Sequence, residues 1–348
     1  ALGMGAMRLP VTEGDDSVID EAATAEMVAY AMEKGINYFD TAWGYHGGHS
    51  EEVMGRGLSR YPRESFYLAT KFPGYDLYNM DQVEEIFEKQ LEKCGVEYFD
   101  FYLFHNVCEM NIDAYLDEKY GIFQYLLKQK EAGRIRHLGF STHGSCEVMK
   151  RFLEAYGSEM EFCQIQLNYL DWSFQSAEAK MELLRSCGLP VWVMEPLRGG
   201  KLAVLSGEAM ERLNQFRPEE KAPAWAFRFR QLQENIHTFE EDKPLQKEEM
   251  DTVLAIADEM LKKSALPCTA CRYCVSHCPN QLDIPALLEL YNEHCFTGGG
   301  FLAPMALMAV PEDKHPNACI GCRSCEAVCP QQIKISEAMA DFAAKLNS

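Results

Sequence analysis

Short apolar runs alternate with amphipathic segments along the first 200 residues of the chain. The apolar runs have the length of buried strands, and the segments between them repeat apolar residues at helical spacing. In the segment 81–94, for example, Val83, Ile86, Phe87 and Leu91 fall on one helical face. This pattern predicts βα units repeated around a parallel sheet, the α/β class. The predicted strands lie at residues 1–7, 37–41, 66–71, 99–106, 136–142, 162–169 and 191–196.

Polar or charged residues stand at the carboxyl ends of six of these strands. They are Asp40, Lys71, His105, Ser141, Gln164 and Glu195. Any one of these residues alone would be explained as an ordinary packed or solvated side chain. Together they match the edge where a (β/α)8 barrel builds its active site.

The last quarter of the chain holds two copies of the pattern C-x2-C-x2-C-x3-C-P. They are Cys268, Cys271, Cys274 and Cys278, then Cys319, Cys322, Cys325 and Cys329. At this spacing three thiolates turn onto one 4Fe-4S cluster, and the fourth ligates the other cluster. We therefore predict two 4Fe-4S clusters with crossed fourth ligands. A pair of zinc sites is the alternative, but it leaves the third cysteine and the proline of each copy unexplained.

The two cysteine runs belong to an internal repeat. Residues 281–284 align with residues 332–335 at the same offset, and both copies then enter apolar helical segments. Pro285 suits a first helical turn and Ser336 suits an N-cap. The repeat favours a small α-helical ferredoxin-like domain over the compact βαβ type. We expect a barrel domain at residues 1–249 and this ferredoxin-like domain at residues 250–348.

The amino-acid composition disfavours some classes of binding partner. With 33 basic and 53 acidic residues the net charge is -20, which disfavours nucleic acid and anionic membrane surfaces. The chain has no signal peptide and no run of about 18 apolar residues, so we expect neither export nor a membrane span. The six cysteines outside the two runs are scattered. We expect a cytoplasmic protein without disulfides.

Three segments carry a family resemblance. Residues 37–45 (NYFDTAWGY), 69–71 (ATK) and 104–106 (FHN) resemble the aldo-keto reductase family. With the double cysteine motif, the chain resembles the branch of that family that carries a ferredoxin domain. The resemblance implies a TIM barrel and reduction of a small-molecule carbonyl compound to an alcohol.

The resemblance also implies roles for four residues. Tyr45 would donate the proton, and Lys71 and Asp40 would tune the acidity of Tyr45. His105 would orient the substrate carbonyl. The chemistry agrees, because a free tyrosine titrates near 10 and a neighbouring ammonium lowers that value. Tyr45 and His105 can both donate hydrogen bonds to an oxygen on which negative charge develops.

A nicotinamide cofactor, NADP(H) or NAD(H), is implied in the same way. Ser141 and Gln164 would bind its carboxamide, and residues 197–200 would wrap its pyrophosphate with backbone N–H groups. Two residues depart from the family pattern, Thr142 in place of asparagine and Met194 in place of a stacking tyrosine, so a flavin stays open. The full set implied is Ser141, Thr142, Gln164, Met194, Leu197, Arg198, Gly199, Gly200, Glu234 and Asn235.

Members of this family have an eighth strand and a phosphate-binding loop where this chain joins two helical segments directly. Seven strands cannot close an eight-stranded barrel. We therefore expect roughly 20 residues, one βα unit, to be absent between Gln231 and Leu232, and a chain break at that point. We also expect a short segment to precede Ala1.

Two functions follow from these features. In the first, the protein is a carbonyl reductase whose clusters exchange electrons with the barrel or with a redox protein partner. In the second, it is a flavin-assisted electron-transfer protein with little carbonyl reductase activity. The matched catalytic set favours the first. Clusters pass single electrons and nicotinamide passes a hydride, so direct coupling would need a converter such as flavin.

Overall fold

The computed structural model describes residues 2–12, 14–233, 245–264, 266–268, 274–329 and 331–347, without the side chains of residues 230–233, 263 and 264. The chain divides into two compact units, Ala1–Val204 with Lys221–Leu245, and Leu205–Glu220 with Gln246–Ser348. The domain boundary predicted after residue 249 stays a prediction.

The first unit contains a parallel sheet of seven strands. They are β1 Met4–Gly5, β2 Tyr38–Asp40, β3 Tyr67–Phe72, β4 Phe99–Val107, β5 Ile135–Thr142, β6 Cys163–Gln166 and β7 Val191–Met194. Each strand pairs with the next in chain order, which makes a curled half-barrel. All seven predicted strands are confirmed, and the described residues contain no eighth.

Helices connect the strands of the first unit. They are α1 Glu21–Glu33, α2 Ser50–Leu58, α3 Val83–Cys94, α4 Ile112–Leu116, α5 Ile122–Glu131, α6 Cys146–Tyr156, α7 Asp171–Phe174 and α8 Ala177–Ser186. The second unit begins with α9 Gly207–Asn214, and the first then resumes with α10 Ala222–Gln233. Helix α10 crosses the junction of Gln231 and Leu232 without interruption, so the predicted chain break there is wrong.

Helix α3 shows how sequence sets these helices. Its apolar residues Val83, Ile86, Phe87 and Leu91 are all buried, as the periodicity predicts. The helix ends where Gly95 adopts φ 64°, a left-handed conformation that glycine takes without steric cost.

Aromatic side chains fill the inside of the sheet. Trp192 of β7 stacks on Phe162 with ring centroids 4.3 Å apart, and Tyr38 of β2 and Phe101 of β4 meet the same indole edge-on at 4.8 and 4.5 Å. Pairs at these distances stabilise a core beyond their buried area.

Helices α2 and α3 pack so closely that one position has no room for a side chain. A Cβ at Gly55 would lie 2.6 Å from the carbonyl oxygen of Cys94, whereas a Cβ at Gly57 meets only Val28 Cγ2 at 3.7 Å. Gly55→Ala should lower the free energy of unfolding by about 1 to 3 kcal/mol, because the helices must separate.

The matched variant Gly57→Ala should raise the free energy of unfolding by up to about 1 kcal/mol, since alanine favours the helix. Urea unfolding of both variants measures the difference. If Gly55→Ala is also stabilising, the close approach of α2 and α3 does not exist.

The second unit is helical in its described residues, as the repeat predicts. It contains α9, α11 Lys247–Ser264, α12 Ile284–Thr297, α13 Leu302–Leu307 and α14 Ile335–Leu346. Its core holds apolar residues from both copies of the repeat, including Ile284, Leu288, Ile335 and Met339. Ion pairs from Arg212 to Glu259 (2.8 Å) and from Arg217 to Glu249 (2.5 Å) link residues 205–220 to α11.

The repeat also appears in the backbone. Gln281 and Gln332 each adopt φ 53°, and helices α12 and α14 begin at Ile284 and Ile335. The prediction that Ser336 caps α14 is wrong, because Lys334 is the N-cap. Ser336 lies inside the helix, and its backbone N–H and hydroxyl both donate to Glu326 Oε1.

None of the helices in the described parts of the chain is long and apolar enough to cross a lipid bilayer.

Candidate functional site

The carboxyl edge of the sheet brings the predicted catalytic residues together. Lys71 Nζ donates to Asp40 Oδ1 at 2.6 Å and to the carbonyl oxygen of Thr41 at 2.8 Å. The same ammonium lies 3.4 Å from the hydroxyl oxygen of Tyr45. Tyr38 OH donates to the other carboxylate oxygen of Asp40 at 3.1 Å. Lys71 is buried, so this ion pair forms with little competition from water.

A tight turn after β2 carries the tyrosine. Tyr45 begins a 3-10 turn in which His46 adopts φ 54°, an uncommon conformation for a residue with a side chain. Leu9 N–H donates to His46 Nε2 at 2.9 Å, so the ring proton is on Nδ1, which donates to Asp16 O at 2.8 Å. These two hydrogen bonds hold the turn and therefore the position of Tyr45.

His105 faces the tyrosine from β4. The two rings are 6.0 Å apart at 82°. His105 Nδ1 is buried and has no hydrogen-bond partner among the described residues. A buried ring nitrogen without a partner is costly.

Burial dominates the titration of these groups. It raises the pKa of Tyr45; the charge of Lys71 lowers that pKa, while the charges of Asp40 and Glu195 raise it, and the result lies above the usual tyrosine value. The lowering expected from Lys71 is therefore present but outweighed. Burial lowers the pKa of Lys71, yet Asp40 and Tyr45 more than compensate, and the pKa of Lys71 is raised. Burial, with Lys71, holds the pKa of His105 well below its usual value. At neutral pH the site holds a phenol, an ammonium and a neutral imidazole.

A second tyrosine in the site was missed by sequence reasoning. Tyr75 packs edge-on against His105 with ring centroids 5.1 Å apart. A Cβ at Gly44 would lie 2.2 Å from the Tyr75 hydroxyl, so the approach requires glycine there. Tyr75 lies just beyond the carboxyl end of β3, after Pro73 and Gly74, and a polar aromatic residue at that position is the signal that could have found it.

A network of buried polar side chains holds the end of β3, which carries Lys71. Glu51 Oε1 accepts from Thr70 Oγ1 at 2.6 Å and from Gln90 Nε2 at 2.7 Å, and Glu51 Oε2 accepts from Lys93 Nζ at 3.0 Å. Gln90 Nε2 also donates to the carbonyl oxygen of Lys71 at 3.0 Å. A satisfied buried network is rigid, and this one fixes the end of β3. In the sequence, this network is indicated by Glu51 and Gln90, two polar residues on the apolar faces of α2 and α3.

The residues predicted to hold a nicotinamide carboxamide lie along the same edge. Ser141 Oγ accepts the N–H of Asn106 at 2.9 Å. Gln164 Nε2 donates to Asp40 Oδ2 at 3.3 Å, so this amide contacts a carboxylate of the predicted catalytic set. Thr142 Oγ1 donates to Val107 O at 2.6 Å and thereby joins β5 to β4. Met194 ends β7 and is half-buried.

The predicted pyrophosphate loop follows β7. Glu195, Arg198 and two glycines of residues 195–200 have positive φ angles. Arg198 is buried, and its Nε lies 2.9 and 3.0 Å from the two carboxylate oxygens of Asp171. The guanidinium is thus held in an ion pair inside the unit. Glu234 and Asn235, predicted to contact adenine, lie outside the described residues.

In the second unit, cysteines of both runs line one pocket. They are Cys278 of the first run and Cys319, Cys322 and Cys325 of the second. Cys268, Cys274 and Cys329 belong to the same core, and Cys271 lies outside the described residues. Within the described part of the chain, no three Cys, His or carboxylate side chains converge on a point that would hold a single metal ion. The preference for 4Fe-4S clusters over zinc rests on the spacing of the two cysteine runs.

Comparison with known proteins agrees with this geometry. The chain matches the model of the Aldo/keto reductase family over residues 1–286 and that of the 4Fe-4S dicluster domain over residues 267–334. It is 27% identical over 207 residues to probable aldo-keto reductase 1 of Glycine max, covering 57% of this chain and 56% of that protein. It is 27% identical over 221 residues to the NADH-specific methylglyoxal reductase of Escherichia coli (strain K12), covering 58% and 64%. The chain thus spans about half to two thirds of the length of these relatives.

Solved structures show the same fold. An aldo-keto reductase from Bacillus halodurans, in its holo form, has a TM-score of 0.58 at 22% identity and covers 73% of this chain and 91% of its own. The aldo-keto reductase of Bombyx mori in complex with NADP has a TM-score of 0.55 at 21% identity, covering 74% and 88%.

Proposed function

Because the chain belongs to the aldo/keto reductase family of oxidoreductases and contains a 4Fe-4S dicluster domain, we propose that it reduces a small aldehyde or ketone to an alcohol with NAD(P)H. The observation that carries this proposal is the buried ammonium of Lys71, which lies between Asp40 and the hydroxyl of Tyr45. A positioned acid of this kind serves a substrate that gains a proton on oxygen.

Bound NAD(P)H would supply the hydride, and the carbonyl oxygen would then gain negative charge. Tyr45, protonated at neutral pH, donates its proton to that oxygen. Lys71 stabilises the phenolate that remains, and Asp40 keeps the ammonium charged and aimed. A neutral His105 donates a hydrogen bond to the same oxygen. Ser141, Gln164 and Met194 would hold the nicotinamide at the edge formed by β5, β6 and β7.

We also infer that the two clusters exchange electrons with a redox protein partner. The chemistry of a 4Fe-4S cluster is one-electron transfer. Cys322 and Ile320 at the rim of the cysteine pocket are exposed, Ile320 by 66%. A cluster ligated at the surface is within reach of a docked partner.

The test is anaerobic oxidation of NADPH or NADH by the reconstituted full chain with small aldehydes and ketones, from about pH 5.5 to 9. We expect turnover with a kcat that does not fall as pH drops through about 6.5, the usual histidine value. The sign follows from the lowered pKa of His105, which keeps the imidazole neutral below that pH, and the raised pKa of Tyr45, which keeps the acid protonated above pH 9.

Absence of turnover with every carbonyl compound and both cofactors would refute the proposed reaction. A loss of activity with a midpoint near 6.5 would instead show that His105 titrates normally and that the site is open to water.

A further inference from the structure

The loop 195–200 already holds an anion, the side chain of its own first residue. Glu195 Oε2 accepts the backbone N–H of Gly199 at 2.6 Å, and Oε1 pairs with the guanidinium of Arg8. Turns that contain left-handed residues can direct a backbone N–H toward an anion. Here that anion is a carboxylate of the chain.

The backbone of Glu195 is fixed as well. Its carbonyl oxygen accepts from Asn168 Nδ2 and from the N–H of Arg198, each at 3.0 Å. The N–H of Gly200 is engaged by the carbonyl oxygen of Leu197 at 3.0 Å. The loop is therefore ordered by hydrogen bonds among its own groups, and the N–H of Gly199 donates to the Glu195 carboxylate.

The Glu195–Arg8 pair also spans the open side of the half-barrel. Arg8 follows β1 and Glu195 follows β7. These are the two edge strands of the sheet, and they do not pair with each other. The carboxylate is only 16% exposed, and its charge reaches Tyr45, whose pKa it raises.

We propose that Glu195 occupies the anion position of the loop 195–200 and competes with the diphosphate of a dinucleotide. This inference rests on the proposed use of NAD(P)H. A diphosphate that takes the N–H of Gly199 must displace the carboxylate and bring like charge beside it in a partly buried place, where repulsion is screened less than in water. Arg8, freed from Glu195, would then pair with the diphosphate.

The test compares the full chain with Glu195→Gln and Arg8→Gln. Binding of NADPH, NADH and inorganic diphosphate is measured by titration of tryptophan fluorescence and by calorimetry. Glu195→Gln keeps the side-chain shape and removes the charge, so it should bind all three roughly 10-fold to 100-fold more tightly, the size of one close charge contact. Arg8→Gln should bind them more weakly, because the carboxylate loses its counter-charge.

The matched control is Glu88→Gln. It removes a carboxylate of α3 that pairs with Arg134, outside the site. It should bind as the unaltered protein does. Equal affinity of the protein and Glu195→Gln for diphosphate and dinucleotide, or weaker binding by Glu195→Gln, overturns the inference. If neither protein binds a dinucleotide but Glu195→Gln binds diphosphate more tightly, the proposed cofactor is wrong and the role of Glu195 stands.

Discussion

Replacing Tyr45 with phenylalanine is expected to lower kcat/KM for carbonyl reduction by roughly 100-fold to 10,000-fold, the usual contribution of a positioned acid. The substitution removes the hydroxyl that lies 3.4 Å from Lys71 Nζ and keeps the ring that packs against His105. Steady-state assays with a carbonyl substrate measure the loss. Reduction of the clusters by dithionite in the same variant should be unchanged, which shows that the second unit is intact.

Tyr75 provides the comparison. It is a second tyrosine against His105, but the described hydrogen bonds of Lys71 go to Asp40, Thr41 and Tyr45. Burial raises the pKa of Tyr75, and the charges of Tyr45, Glu51 and Asp76 add to that rise. Tyr75→Phe should therefore reduce kcat/KM by less than about 10-fold. If Tyr75→Phe is the more damaging variant, Tyr75 and not Tyr45 donates the proton.

The sheet could be predicted because its information is local. Each strand is an apolar run that ends on a polar residue, and parallel strands bring those ends to one edge. The order and spacing of Asp40, Lys71 and His105 were therefore enough to expect them at the same edge. The family resemblance, which the comparisons confirm, supplied Tyr45, since that residue follows β2 in a turn.

What could not be predicted depends on contacts between distant segments. The sequence shows a glutamate after β7, but only the fold brings Arg8 and the N–H of Gly199 to it. A lysine near a tyrosine suggests a lowered pKa, yet the extent of burial decides the result for Tyr45. Ser336 looks like an N-cap, but the N-cap lies two residues earlier, at Lys334, and the helix starts at Ile335.

The crossed ligation of the two clusters is the other prediction with a large effect. Cys278 belongs to the first run but lies in the pocket of Cys319, Cys322 and Cys325. Cys278→Ala should therefore remove the cluster of the second run, and the iron content of anaerobically reconstituted protein should fall from about eight to about four atoms per chain. Cys187→Ala, which removes an exposed cysteine outside both runs, is the control and should retain about eight.

Double replacements distinguish crossed from uncrossed ligation, because two changes in one cluster cost no more than one, whereas changes in separate clusters add. If the ligation is crossed, Cys278 and Cys322 share a cluster, and the double variant Cys278→Ala/Cys322→Ala should keep about four irons. Cys278 and Cys268 then belong to different clusters, so Cys278→Ala/Cys268→Ala should keep almost none. Uncrossed ligation reverses the two results. Iron analysis of these two proteins thus decides whether the pocket around Cys278 is the site of the second cluster.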